Sequence, residues 1–228
     1  MTMSQQPSTA RRKLAFLAGF ALYFATLWFL WDTPVVYPLK IFVVMLHEIS
    51  HGIASLSTGG TIEKIVLDPY QGGVCYCGGG NAFLTLSAGY LGSLLWGVAL
   101  LALAGTRRIS NRTLLTVVGA LVVLLTALYV RNGFGLLFGL GFGATLVLAG
   151  RRLGAAASRV VLTALGLTSC LYAILDIKSD ILDRPHLESD AAMLAEITPL
   201  STTAWGVVWI GVAVIVSVVA FGRAYRAA

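Results

Sequence analysis

The sequence predicts an all-α polytopic membrane protein, with six or seven transmembrane helices and a small β-hairpin after a helix that carries two histidines. Three observations predict it. Hydrophobic residues make up 57% of the 228 and charged residues only 11%, with a mean hydropathy of +0.85, whereas charged residues are about a quarter of a soluble domain. Uncharged runs recur at the roughly 17 to 25 residues that a helix needs to cross a bilayer. A single early connection, 58–81, instead reads as strands around a turn.

The polar start, "MTMSQQPSTA", reads as part of a disordered tail over residues 1–13, and 14–228 as a single membrane domain. Apolar runs follow at 14–31, 82–104, 113–130, 132–149, 160–175 and 204–222, and segment 37–57 makes a seventh. The first run follows Arg11, Arg12 and Lys13 as a signal peptide would. It is long and aromatic, and no small-residue cleavage site precedes "WDTPVVYP", so it reads as a retained helix.

Two connections are long enough to hold structure of their own. In 58–81, "TIEKIVLD" and "VCYC" flank the turn-rich "PYQGG", a hairpin signal. The other, 177–203, is a polar loop that together with Asp176 holds six of the ten acidic residues. No fixed-period repeat is present, which excludes a solenoid.

The net charge of +6 comes largely from arginines that flank apolar spans, such as Arg107, Arg108, Arg151 and Arg152. That is a membrane-flanking distribution and not the basic patch of a nucleic-acid binder. Basic residues are nearly balanced between the two sides, so they do not orient the chain. Three cysteines cannot build a disulfide framework.

Segment 37–57 alone carries ionisable groups deep inside, in "FVVMLHEISHGIASL". His47 and His51 are four apart and share a helix face, so both imidazoles reach one ion. Glu48 lies about 100° round from His47, placed to hold a metal-bound water without ligating the metal. This is the HExxH arrangement, in which zinc acidifies its water and the glutamate takes the proton. An ionisable group near mid-bilayer costs about 2.5 to 3.5 kcal/mol even on the mildest scale. Three within five residues call for a divalent counter-charge.

A catalytic zinc needs a third protein ligand. Segments 37–57 and 160–175 are four steps apart in the order of spans and so run the same way, which brings Asp176 to the histidines' side. Asp180 is the alternative, on the same face if that helix continues. His186 reads as a solvated loop residue. Asp180, Asp183, Glu188 and Asp190 also carry the plainer reading of a hydrated face. Cys75 and Cys77 fall on one side of a strand, but without a second pair they read as free thiols. Cys170 reads as helix packing, and Gly78 to Gly80 as a flexible exit from the hairpin.

With "HEISH" in a helix, "STGG" after it, then a hairpin, then "SAGYLGSLL" and "LYAILDIKSD", the chain from residue 14 onward resembles the site-2 protease family of intramembrane zinc metallopeptidases, in its compact bacterial B-like branch. The resemblance implies one Zn2+ held by His47, His51 and Asp176, with Glu48 as catalytic base. It also implies a multi-pass protein of the bacterial cytoplasmic membrane that cuts a membrane-tethered protein within the lipid bilayer. Two departures stand out. Where the family has "AGPxxN" this chain has Ala88 to Ser93 without the proline and asparagine, and Ile177 stands where glycine is typical.

A peptide bond inside a transmembrane helix is shielded by its own hydrogen bonds, so cleavage there requires unwinding and water. The hairpin edge offers a place to add the unwound segment as a strand, with Ile62 and Ile65 as the expected substrate clamp. Two rival readings are a non-proteolytic zinc-bearing assembly partner and a transporter. The transporter reading calls for ionisable groups on several spans, and 82–104, 113–130 and 132–149 hold none.

Overall fold

The structure, a computed structural model, describes residues 9–30, 33–106, 108–178 and 189–227. Its elements are α1 (Thr9–Leu30), α2 (Tyr37–Ser57), β1 (Thr61–Leu67), β2 (Gly73–Gly78), α3 (Ala82–Gly105), α4 (Asn111–Tyr129), α5 (Gly133–Arg152), α6 (Ala155–Ile177), α7 (Asp190–Ile197) and α8 (Thr202–Ala227). All the helices except α7 are long and apolar enough to cross a membrane, which makes seven among the described residues. α1 begins at Thr9, so residues 9–13, expected in the tail, are helical. Lys13 lays its ammonium over the Tyr225 ring of α8, 5.3 Å from the centroid, a contact that favours the extra turn.

α2 is the central helix. Its spanning window is 72% buried, against 6% for α1 and 17% for α8, so its ionisable face looks at protein and not at lipid. Pro38 opens it, where a missing amide costs nothing. At its other end the Thr58 hydroxyl donates to Ala54 O at 2.7 Å, the Gly60 amide donates to Ser55 O at 2.8 Å, and Gly59 takes φ +87°. That left-handed turn stops the helix and launches β1.

Neighbouring spans approach through glycine, because lipid offers no hydrophobic drive and close backbone packing must supply the attraction. A Cβ on Gly97 of α3 would lie 2.8 Å from Gly166 O of α6, and one on Gly166 would lie 2.9 Å from Gly97 O. Gly119 and Gly143 make the same mutual approach between α4 and α5. These seams join α3 to α6 and α4 to α5.

The hairpin forms as expected, antiparallel from Thr61↔Gly78 to Leu67↔Gly73, with a bulge between Ile62 and Lys64. It lies alongside α2. Gly60 binds Ser55 at one end, Gly73 rests on Glu48 in the middle, and Pro69 O accepts from Tyr37 Oη at 2.7 Å near the start of α2. Strand backbone at membrane depth must be satisfied by protein or line a wet cavity. The outer edge of β1 meets that demand through the α4–α5 turn. Ile65 bridges Val130, Arg131 N donates to Ile65 O at 3.0 Å, and the Asn132 side chain binds both backbone groups of Leu67.

Candidate metal centre

His47 is the eleventh of the 21 residues of α2, about 15 Å along its axis at 1.5 Å per residue, and thus halfway along a helix long enough to cross a membrane. Its Nε2 lies 3.0 Å from Asp190 Oδ2, and His51 Nε2 lies 3.2 Å from the same oxygen. The three residues each offer one donor atom, all within 4.8 Å of one another, and they form the one such group among the described residues.

The carboxylate in this group is Asp190, where Asp176 was expected. Ile177, the last residue of α6, is fully buried against Tyr90, Ala191, Leu194 and Trp209, so α6 turns that side chain toward α3, α7 and α8. Asp176 sits about 100° away on the helix, and it is outside the converging group. The hydrated-face reading of Asp190 does not hold, because the residue is buried. Asp180, Asp183, His186 and Glu188 lie outside the described residues.

Asp190 opens α7, a short helix that the sequence reading took for part of a polar loop. Ser189 caps it by accepting from Ala192 N at 3.2 Å, and the fully buried Ala191 and Leu194 fix its face. Trp205 Nε1 donates to Thr198 Oγ1 at 2.8 Å, and Thr198 donates in turn to Leu194 O. The legible signal was Ser189 followed by an acid and small apolar residues, a helix start with its dipole complemented. Burial alone would raise the Asp190 carboxyl, but while the imidazoles are protonated the charge of His51 and the hydrogen bonds of both rings outweigh it and hold it below the ordinary carboxylate range.

The hydrogen bonding of His51 suits a residue that could hold a metal ion. Its Nδ1 faces Thr85 O at 2.7 Å, a carbonyl that accepts a proton, so whenever the ring is neutral it presents a bare Nε2 to Asp190. Lone pair then faces carboxylate. A cation between them relieves that repulsion, and the backbone carbonyl behind a ligating imidazole is the usual orienting partner of such a site.

α3 leaves room for the donors. A Cβ on Gly89 would stand 2.6 Å from His51 Nε2 and closer still to His47 Nε2, so only glycine lets this backbone pass. The Tyr90 ring meets His47 edge-on at a centroid distance of 4.7 Å, and Trp209 backs Tyr90 at 5.2 Å.

Glu48 is buried and close enough to His47, His51 and Asp190 to interact electrostatically with all three. The backbone of Cys75 lies near its carboxylate, and a Cβ on Gly73 would fall 2.7 Å from its Oε1. β2 therefore lies directly against this side chain.

Ile62 and Ile65 do not flank the donors. With Ile49, Ile53, Leu56, Leu125 and Tyr129 they line an apolar cavity of about 100 Å³. Ile49 and Ile53 project from α2 about 180° and 140° from the centre of its His47 and His51 face. Ile62 packs on Gly52, Ile65 is 1% exposed, and the outer edge at Ile65 is taken by Val130 and Arg131. Between β1 and the donors runs β2, whose Cys75 and Cys77 the structure joins in a disulfide, where free thiols were expected. Cys170 is free and buried, as expected of a packing residue.

A family model described as Peptidase M50B-like matches residues 20–220. No curated protein and no solved structure matches the chain.

Proposed function

From the premise that the chain belongs to the Peptidase M50B-like family, we propose that it is an intramembrane zinc metalloprotease that hydrolyses a peptide bond in or near a transmembrane segment of a membrane-tethered protein. The observation that carries this reading is the convergence of His47, His51 and Asp190, with Glu48 beside them.

The donor set fits zinc. Tetrahedral bonds of about 2.0 to 2.2 Å would put ligand atoms about 3.4 Å apart, close to the 3.0 and 3.2 Å separations from Asp190 Oδ2. Two imidazoles and one carboxylate also leave a fourth position open, the mark of a catalytic site rather than a structural one. Bound there, Zn2+ supplies a Lewis acid that polarises the scissile carbonyl and lowers the pKa of a water toward about 7.

The chain's own groups account for the rest. Glu48 accepts the proton of the attacking water and delivers it to the departing amine nitrogen. Thr85 O holds His51 in the tautomer that ligates through Nε2. Gly73, packed on the Glu48 side chain, keeps its carboxylate from swinging away. We assign the substrate backbone to the outer edge of β2, next to Glu48, since strand addition fixes an unwound segment through its main chain. Ile62 and Ile65 then support that strand from behind instead of clamping the substrate. By its resemblance the protein works in a bacterial cytoplasmic membrane.

The test uses the full chain in liposomes with a single-span substrate. Wild type that carries one zinc per chain and cleaves, with Glu48→Gln keeping the zinc and cleaving about 10² to 10⁴ times more slowly, is the expected outcome. Equal cleavage by both removes Glu48 from the mechanism. Zinc retained with no cleavage by either favours the assembly-partner reading.

A further inference from the structure

The bridge between Cys75 and Cys77 closes over a single residue, Tyr76. Loop-closure stabilisation grows with the logarithm of loop length, so this bridge restricts the unfolded chain very little. Nor does the strand need it for register. β2 is already paired to β1 from Gly73 to Gly78. A pair of sulfurs that contributes so little as a staple calls for a chemical explanation.

Its surroundings supply one. The pair lies opposite the β1 bulge between Ile62 and Lys64, and Cys75 Sγ sits 3.7 Å from where a Cβ on Gly52 would be, one residue beyond His51. Two residues before Cys75, Gly73 packs so closely on Glu48 that a Cβ there would fall 2.7 Å from its Oε1. The Cα atoms of Cys75 and Cys77 are 5.5 Å apart, whereas two residues of regular strand span about 6.6 Å. Opening the bridge therefore lets this stretch of β2 lengthen by about 1 Å, beside a group whose placement matters on that scale.

We propose that Cys75 and Cys77 form a reversible dithiol–disulfide pair that governs the placement of Glu48, with the oxidised state as the competent one. The partner is a small or protein-borne disulfide or dithiol. In oxidation, the thiolate of one cysteine attacks the partner's S–S bond and expels one partner thiolate. The second cysteine thiolate then attacks the mixed disulfide and expels the other. The protein gives up two electrons and two protons, the partner's S–S bond becomes two thiols, and reduction by a dithiol is the reverse. Both cysteines are half-buried, within reach of such exchange. The effect on Glu48 rests on the protease reading; the chemistry of the pair does not.

The test compares full-length protein in liposomes after oxidised glutathione and after dithiothreitol. Maleimide labelling under denaturing conditions should count one thiol per chain when oxidised, that of Cys170, and three when reduced. Amide exchange across 73–78 should be faster in the reduced protein, and cleavage slower by about tenfold or more, at unchanged zinc content. Cys77→Ser should show two labels in both conditions, ignore the redox treatment, and cleave at the reduced rate. Three labels in both conditions overturn the proposal, as does equal cleavage by the two states of an active protein. If neither state cleaves, the protease reading fails on its own, and the amide exchange decides: a redox-dependent change across 73–78 supports the pair, and identical exchange overturns it.

Discussion

Asp190 Oδ2 stands 3.0 Å from His47 Nε2 although 143 residues separate the two in the chain. The carboxylate reaches the centre from a capped eight-residue helix outside the candidate spans, and not from the end of α6. This offers Asp190 as a candidate third donor, separable from Asp176 by experiment.

Asp190→Asn should lower zinc affinity by more than the roughly 10- to 100-fold that loss of an outer-shell partner costs, while Asp176→Asn should leave zinc content near one per chain. Metal analysis of the two purified variants checks this. The reverse pattern would return the third position to α6.

Gly89→Ala should abolish zinc binding without removing any donor. The new methyl would overlap both imidazole Nε2 atoms, and α3 cannot retreat while Gly97 is in contact with Gly166. A zinc-replete, active Gly89→Ala protein would show that α3 does not border the metal as closely as described.

Gly73→Ala acts on the base and spares the donors. Its Cβ would press on Glu48 Oε1 and Cγ, each at 2.7 Å, so the carboxylate must shift. Zinc content should hold while the cleavage rate falls by about 10²-fold, the usual cost of misplacing a reacting group by an ångström. A parallel loss of zinc would mean that β2 supports the whole centre and not Glu48 in particular.

Leu194→Ala tests how α7 aims Asp190. Leu194 is fully buried beside Tyr90, Ile177 and Trp209, and deleting a buried leucine side chain costs about 2 to 5 kcal/mol. Zinc should bind more weakly in an otherwise inserted protein, with affinity partly regained in Leu194→Met, which conserves volume. Unaltered affinity in Leu194→Ala would show that Asp190 is held by its cap alone.

By itself the sequence determined what depends on local spacing and on the solvent. Apolar length set the spans, turn residues set the hairpin, and the four-residue step placed His47, Glu48 and His51, because helix geometry and the cost of buried charge operate within one segment. Only the tertiary structure decided which distant residues join them. Asp176 and Asp190 are chemically alike, and the choice between them was made by the direction in which α6 turns Ile177 and by the seating of α7 on Tyr90 and Trp209. The same holds for the hairpin. Its pattern announced two strands, but packing against Gly52 and the α4–α5 turn put Ile62 and Ile65 behind and set β2 against Glu48, since a strand at membrane depth goes where its backbone groups find partners.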